Sequence, residues 1–392
     1  MDPSAIFTRR IFDFFRSAGK GAAGARRPLR LLEAALFQRK QAARRARNAK
    51  AGLVVPPVLI ASITRKCNLD CVGCYSRALR PGAGEELGDE AFMDLFREAI
   101  DLGVGTILLA GGEPLMRKDL LEKASRLRGV LFPVFTNGTL VDEAFVDLAA
   151  KSSLVPVLSL EGGEAETDRR RGAGIHDNVK ARMAAMRTRG ILYGASITLS
   201  SRNADLVLSD AYLSALAEEG ISVLFLVEFV PVAPGTQDLV LRPEQQEALE
   251  AKGAFGGLPY PVVVLPGDEE DYGGCLAAGR GFIHLAADGR LEACPFAPFS
   301  DSNAAASGLG AALDSPLMKS IREHHGELTE TSGGCALWNK AGWVKGLGAC
   351  GQGRDDAPDP KAAEPHDRAD EGAEDPDGEG AVSHSRKERV AL

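Results

Sequence analysis

"VLIASITRKCNLDCVGCYSRA", residues 58–78, joins a strand-like apolar run to three cysteines, Cys67, Cys71 and Cys74, within eight residues. A disulfide needs two thiols, and a closed zinc site usually takes four ligands, with no histidine close by to complete one here. Three thiolates at this spacing can wrap one corner of an iron–sulfur cube, holding three irons and leaving the fourth open. The run in front of them, Val58 to Thr64, also opens a pattern that continues for about 175 residues.

That pattern alternates short apolar runs with amphipathic helical stretches. After "VLIASIT" come "TILLAGG" (106–112), "LFPVFTNG" (131–138), "VPVLSLEGG" (155–163), "LYGASITLS" (192–200) and "SVLFLVEFVPV" (222–232). Between the first two lies "GDEAFMDLFREAIDLG" (88–103). Phe92, Leu95, Phe96 and Ala99 share one of its faces, Asp89 is placed to cap it and Gly103 to end it. Six βα units in succession predict an α/β fold with a parallel sheet and helices outside it. Ligands in such folds gather past the C-terminal strand ends. Cys67, Glu113, Asn137 and Glu161 stand just past the ends of the first four strands.

Outside this stretch the composition shifts. Residues 1–50 carry 13 Lys/Arg against 3 Asp/Glu, and residues 351–392 carry 6 against 12. The chain has 392 residues and a net charge of −8, so the middle is acidic, which argues against nucleic acid as a partner. Ile6, Phe7, Ile11, Phe14, Phe15 and Ala18 fall on one face of a basic amphipathic helix, and a second basic helix is expected from about Leu29 to Arg47. These helices either pack on the main domain or touch a membrane surface or partner. No apolar run reaches the roughly 18 residues of a membrane span, and arginines interrupt the N-terminal apolar stretch, so a cytoplasmic location is expected. Seven clustered cysteines in a reducing compartment favour metal over disulfides. Past Leu241 the rhythm stops. "GFIHLAADGRLEACP" (281–295) reads as a hairpin about Asp288-Gly289, and 353–392 reads as a disordered acidic tail.

The cysteine triplet after the first strand, with "GGEPL" (111–115) after the second, resembles the radical S-adenosylmethionine (radical SAM) superfamily. The resemblance implies a partial (β/α)6 TIM-like barrel over residues 53–240. It also implies a 4Fe-4S cluster on Cys67, Cys71 and Cys74, and S-adenosyl-L-methionine (SAM) bound at the open iron. By the same match Gly111, Gly112, Glu113 and Pro114 form the motif that receives the SAM amino group. "TNG" (136–138) brings in Asn137. "SLEGG" (159–163) and "DRRRG" (168–172) resemble a stretch that places Ser159 and Glu161 near the ribose and Arg171 near the carboxylate. Val230 and Pro231, past the sixth strand, stand where the adenine is contacted. Many members carry an aromatic residue just before the third cysteine; Gly73 is there instead, and Tyr75 follows the cysteine.

Cys275-x13-Gly289-x4-Cys294 resembles the start of a SPASM or twitch extension, with Cys335 from a later loop. It implies a small, hairpin-containing auxiliary domain over 241–352, holding one auxiliary cluster. Cys350 is either its fourth ligand or a free thiol, and a zinc ion on the same residues is the alternative. The basic extension is then 1–52 and the tail 353–392. The implied activity is reductive cleavage of SAM and hydrogen abstraction by an oxidoreductase or maturase. Its substrate would be peptide-like or a small biosynthetic molecule, and its electron donor of flavodoxin or ferredoxin type. The competing expectation is a non-catalytic metal-binding or interaction protein on the same barrel.

Overall fold

The computed structural model describes residues 26–80, 85–252, 255, 257–265, 273–329 and 335–347, with side chains from residue 35 onward. The helix expected over Ile6–Ala18, Cys350 and the tail from 353 lie outside the described residues. Helix α1 covers Arg26–Lys50. Strand β1 (Val58–Thr64) is followed by the short α2 (Tyr75–Leu79), then α3 (Asp89–Leu102), β2 (Thr106–Gly111), α4 (Lys118–Ser125), β3 (Phe132–Thr136), α5 (Glu143–Lys151) and β4 (Leu154–Leu160). Then come α6 (Glu164–Arg171), α7 (Ile175–Thr188), β5 (Gly194–Leu199), α8 (Asp210–Glu218), β6 (Leu224–Glu228), α9 (Pro243–Ala251) and β7 (Val262–Leu265). A hairpin, β8 (Phe282–Leu285) and β9 (Leu291–Glu292), precedes α10 (Pro316–Glu323).

Among the described residues, nine strands form one curled sheet in the order β7-β6-β5-β4-β3-β2-β1-β8-β9. Every pairing is parallel except β8 with β9. This is the expected partial TIM-like barrel, with additions at both edges. The rhythm does not end at β6, since β7 pairs with it from Leu224↔Val262 to Val227↔Leu265. The hairpin does not stand apart either, because β8 runs beside β1 with Ile60↔His284. Alternation decides the two faces. Leu59, Ala61 and Ile63 of β1 and Ile283 and Leu285 of β8 belong to the helix-facing core. Ser62 and His284 therefore face the concave side.

Local chemistry explains the elements nearest the site. In α3, Phe92, Leu95, Phe96 and Ala99 are buried as the spacing predicts, and Gly103 ends it in the left-handed region at φ 113°. The N-cap is Gly88, not Asp89. Asp89 is the first helical residue, and its carboxylate pairs with Arg117 and Lys123 instead. Helix α1 docks mainly through polar groups. Arg44, Asn48 and Arg45 donate to the carbonyls of Ile100, Leu102 and Gly103 at 2.8, 2.7 and 2.7 Å. These are the orphan acceptors and the negative dipole end of α3. Gln38 and Gln41 donate to Gly105 O at 2.7 Å and Gly129 O at 2.8 Å, which puts α1 beneath the N-terminal ends of β2 and β3. Among the described residues no helix is long and apolar enough to cross a membrane.

Candidate functional site

The loop from Arg65 to Cys74 leaves β1 at its C-terminal end and is held from three sides. Beneath it, the end of β2 comes into backbone contact: Gly112 N donates to Thr64 O at 2.7 Å and Glu113 N to Lys66 O at 2.8 Å. A Cβ at Gly112 would stand 2.0 Å from the Lys66 oxygen, and one at Gly111 2.2 Å from the Thr64 oxygen. The two glycines are what lets these strand ends meet. On one flank Glu86 accepts from Arg65 N at 2.7 Å and from Thr64 Oγ1, and Arg65 Nη2 reaches Asp288 at the hairpin turn at 2.6 Å. On the other flank Val72 and Arg170 bond reciprocally. Val72 N donates to Arg170 O at 3.0 Å and Arg170 Nε to Val72 O at 3.2 Å.

Glu113 is 1% exposed. Its Oε1 accepts from Thr136 Oγ1 at 2.7 Å and Leu115 N at 3.0 Å, and its Oε2 from Asn137 N at 2.8 Å. Burial pushes its carboxyl pKa up, against those three bonds and the charge of Arg171. Pro114 opens a tight helical turn directly behind it. Asn137 does more than shape a turn. Its Nδ2 donates to Asn68 Oδ1 at 2.9 Å and lies 3.9 Å from Cys67 Sγ. Burial raises the thiols of Cys67 and Cys71, while the arginine charges of 170 and 171 pull Cys71 down.

Glu161, also 1% exposed, carries two guanidinium groups. Arg171 Nε donates to its Oε1 at 2.7 Å, and Arg170 pairs with the same oxygen. Thr198 N supplies Oε2 at 3.2 Å, and Asn203 Nδ2 holds the Glu161 carbonyl at 2.8 Å. Arg171 is also near enough to Cys71 and Cys74 for the charges to interact. Ser159 lies half-buried between core-facing Leu158 and Leu160, on the concave side. Val230 is buried and Pro231 half-buried past β6. A cleft opens among Val72, Glu161, Arg170, Ser200, Asn203 and Phe229. Arg170, Asn203 and Phe229 escaped the sequence reading. "DRRRG" offers three arginines without saying which turn inward, and Phe229 shows itself only through Gly73. Gly73 has φ 66°, and a Cβ there would lie 2.7 Å from the Phe229 ring. The ring of Phe229, just past β6, thus fills the space beside Gly73.

The second cysteine group also assembles. Cys275, Cys294 and Cys335 are all buried. Cys294 and Cys335 are thiols near enough, with Cys275, to act on one another electrostatically, and burial drives the Cys294 pKa far up. Arg280 Nη1 donates to Cys275 O at 2.6 Å and Gly274 O at 2.9 Å, fixing that turn. The Tyr75 and Phe296 rings meet at 4.8 Å between the two cysteine groups. Among the described residues no three His, Cys, Asp or Glu groups converge tightly enough to hold a single metal ion.

Residues 61–200, from β1 through β5 with the triplet and GGEP, match the Radical SAM superfamily model. That stretch of the chain is similar to the radical SAM superfamily. Over 223 residues it is 32% identical to Fe-coproporphyrin III synthase of Methanosarcina barkeri, a match covering 54% of this chain and 55% of the synthase. Over 123 residues it is 34% identical to PqqA peptide cyclase of Granulibacter bethesdensis, covering 30% of this chain and 33% of the cyclase. The radical SAM match to these curated relatives therefore spans about half of their length or less. Streptococcus suis SuiB, solved with its precursor peptide SuiA, superposes with a TM-score of 0.59 at 19% identity, over 79% of this chain and 77% of SuiB. That likeness is one of fold.

Proposed function

We propose that this chain is a radical SAM oxidoreductase or maturase, with Cys67, Cys71 and Cys74 holding a 4Fe-4S cluster whose open iron takes SAM. The observation that carries the proposal is the interlock of the triplet loop with the second and third strand ends. Gly112 and Glu113 fasten the loop's entry by two backbone bonds, and Asn137 reaches Asn68 and Cys67. The donor chemistry fits: three thiolates, no histidine, and neighbouring strand ends that keep the loop in place. In a cube each thiolate takes its own iron, so the donors need not converge on one atom. Reductive cleavage of SAM to methionine and a 5′-deoxyadenosyl radical is what such a cluster supplies once an electron arrives, here from a flavodoxin- or ferredoxin-type donor.

The chain's own residues bind and orient. Glu113 is positioned to receive the SAM ammonium, and its bonds to Leu115, Thr136 and Asn137 fix the carboxylate in advance. Arg171, tied to Glu161, faces the triplet where a carboxylate would sit. Ser159, Asn203 and Phe229 line the remainder, toward ribose and adenine, with Val230 and Pro231 behind. Cys275, Cys294 and Cys335 hold the auxiliary cluster in a 241–352 extension, beside a 53–240 barrel. The substrate is peptide-like or a small biosynthetic molecule, as the names of the peptide cyclase and the porphyrin synthase suggest for one class each.

The test is EPR of the anaerobically reconstituted, reduced protein with and without SAM. SAM should shift the spectrum of the triplet's cluster in the wild type. Glu113→Gln should keep the iron but need about tenfold or more SAM for the same shift, the loss of one charge-assisted bond. A wild-type spectrum indifferent to SAM would sink the assignment.

A further inference from the structure

Between the two cysteine groups lies a buried ionic network that the SAM site does not use. Ser62 stands five residues before Cys67, Arg80 six after Cys74, and Glu292 two before Cys294. His284 and Glu292 are fully buried, and Ser62 and Arg80 are 3% and 8% exposed. His284 Nδ1 donates to Glu292 Oε2 at 2.8 Å, so its Nε2 accepts from Ser62 Oγ at 2.8 Å. Arg80 Nη2 donates to the same Glu292 oxygen and to Pro295 O at 2.9 Å, one residue past Cys294. The Tyr75–Phe296 ring contact runs alongside, joining the neighbour of Cys74 to the second residue after Cys294.

We propose that Arg80 is a positioning residue that couples the two cysteine groups, fixing the Cys294 turn against the helix that leaves the triplet. The proposal rests on the reading that both groups hold clusters. Burying a guanidinium, a carboxylate and an imidazole is a poor route to stability, since an apolar cluster of similar volume is often as stable or more so. What the network provides is a directional lock. Its bonds are directional, Glu292 also facing Arg290 at 3.5 Å, and both ends are close in sequence to a cysteine. Arg80 is the only described residue that hydrogen-bonds both Glu292 and Pro295 across to the triplet's helix.

The experiment uses the full chain with Arg80→Gln, Arg80→Lys and, at the far end of the network, Ser62→Ala. In metal-free protein, alkylation by iodoacetamide should be slow at Cys294 and Cys335. It should quicken by about tenfold to a hundredfold in Arg80→Gln, the effect of one lost charge-assisted bond on a local opening. Arg80→Lys should restore part of the protection, and Ser62→Ala should give a smaller rise. In reconstituted protein, pulsed EPR should show a defined dipolar coupling between the two reduced clusters in the wild type. That coupling should broaden or shift in Arg80→Gln at unchanged iron content, which a general loss of stability would not produce. Wild-type alkylation rates and an unchanged coupling in Arg80→Gln would overturn the proposal. Should Arg80→Gln fail to fold, no change in either readout for Arg80→Lys and Ser62→Ala would overturn it equally. A wild type that binds only about four irons would refute the two-cluster reading, and alkylation would still decide the role of Arg80.

Discussion

Gly73 shows how much a single position decides in this site. Its φ of 66° lies where side chains are strained, and the Phe229 ring occupies the space a side chain would enter. Gly73→Ala should therefore destabilise the metal-free protein by about 1–3 kcal/mol from backbone strain alone, with the ring clash added. Phe229→Ala should recover the clash but not the strain. The two substitutions should thus be non-additive by about 0.5–3 kcal/mol in urea denaturation of the singles and the double. Strict additivity would mean that the ring does not press on the loop. The sequence displays Gly73 as a departure from a family pattern. It cannot display the contact with Phe229, which lies just past a strand more than 150 residues later. Glu113 and Asn137 were legible for the opposite reason: each belongs to a short contiguous motif at a strand end.

At the scale of elements, helix α1 is the clearest case of an amphipathic basic segment whose charges have a structural use. Arg44, Arg45 and Asn48 close the C-terminal carbonyls of α3, and Arg45 is 3% exposed. Arg45→Met keeps most of the packing volume and removes the charged donor to Gly103. It should cost about 1.5–3 kcal/mol, read as a lower urea midpoint at unchanged slope. An unchanged midpoint would leave α1 loosely attached. A helix here was readable from periodicity, but its docking was not, since the partners are backbone carbonyls that no residue pattern encodes. Strand β7 was missed because "VVVL" is four residues long and set in a Gly/Pro-rich stretch. The cap of α3 was misplaced by one residue, because Asp89 is engaged by Arg117 and Lys123 instead of by the helix's own N–H groups.

For the molecule as a whole, the sheet joins the two halves of the chain, and the cost of that joint is sensitive to pH. His284, on the strand that pairs with β1, has its pKa lowered from 6.5, first by burial and then by the charge of Arg80, against its bond to Glu292. Glu292 sits at about 2, where burial alone would raise it, because Arg80 and His284 outweigh that effect. A histidine kept neutral in the folded state takes up a proton more readily once unfolded. Its contribution is present above the unfolded pKa and is lost as pH falls through about 6.5 toward the lower folded value. The melting temperature should therefore drop between about pH 7 and pH 5.5, with part of that slope gone in His284→Gln. An equal slope in both proteins would show that His284 is not held neutral. The overall barrel was legible because six βα units repeat locally. The edge pairing of β8 with β1 was not, because it joins segments over 200 residues apart.

The central claim is that the triplet cradles the cluster that cleaves SAM, and one assay addresses it directly. The wild type and a variant with Cys67, Cys71 and Cys74 all changed to alanine are reconstituted anaerobically, reduced with dithionite and given SAM. The variant should lose about four irons per chain, the content of one cube, keep any iron on the second cysteine group, and make no 5′-deoxyadenosine while the wild type does. Formation of 5′-deoxyadenosine by the variant would contradict the account.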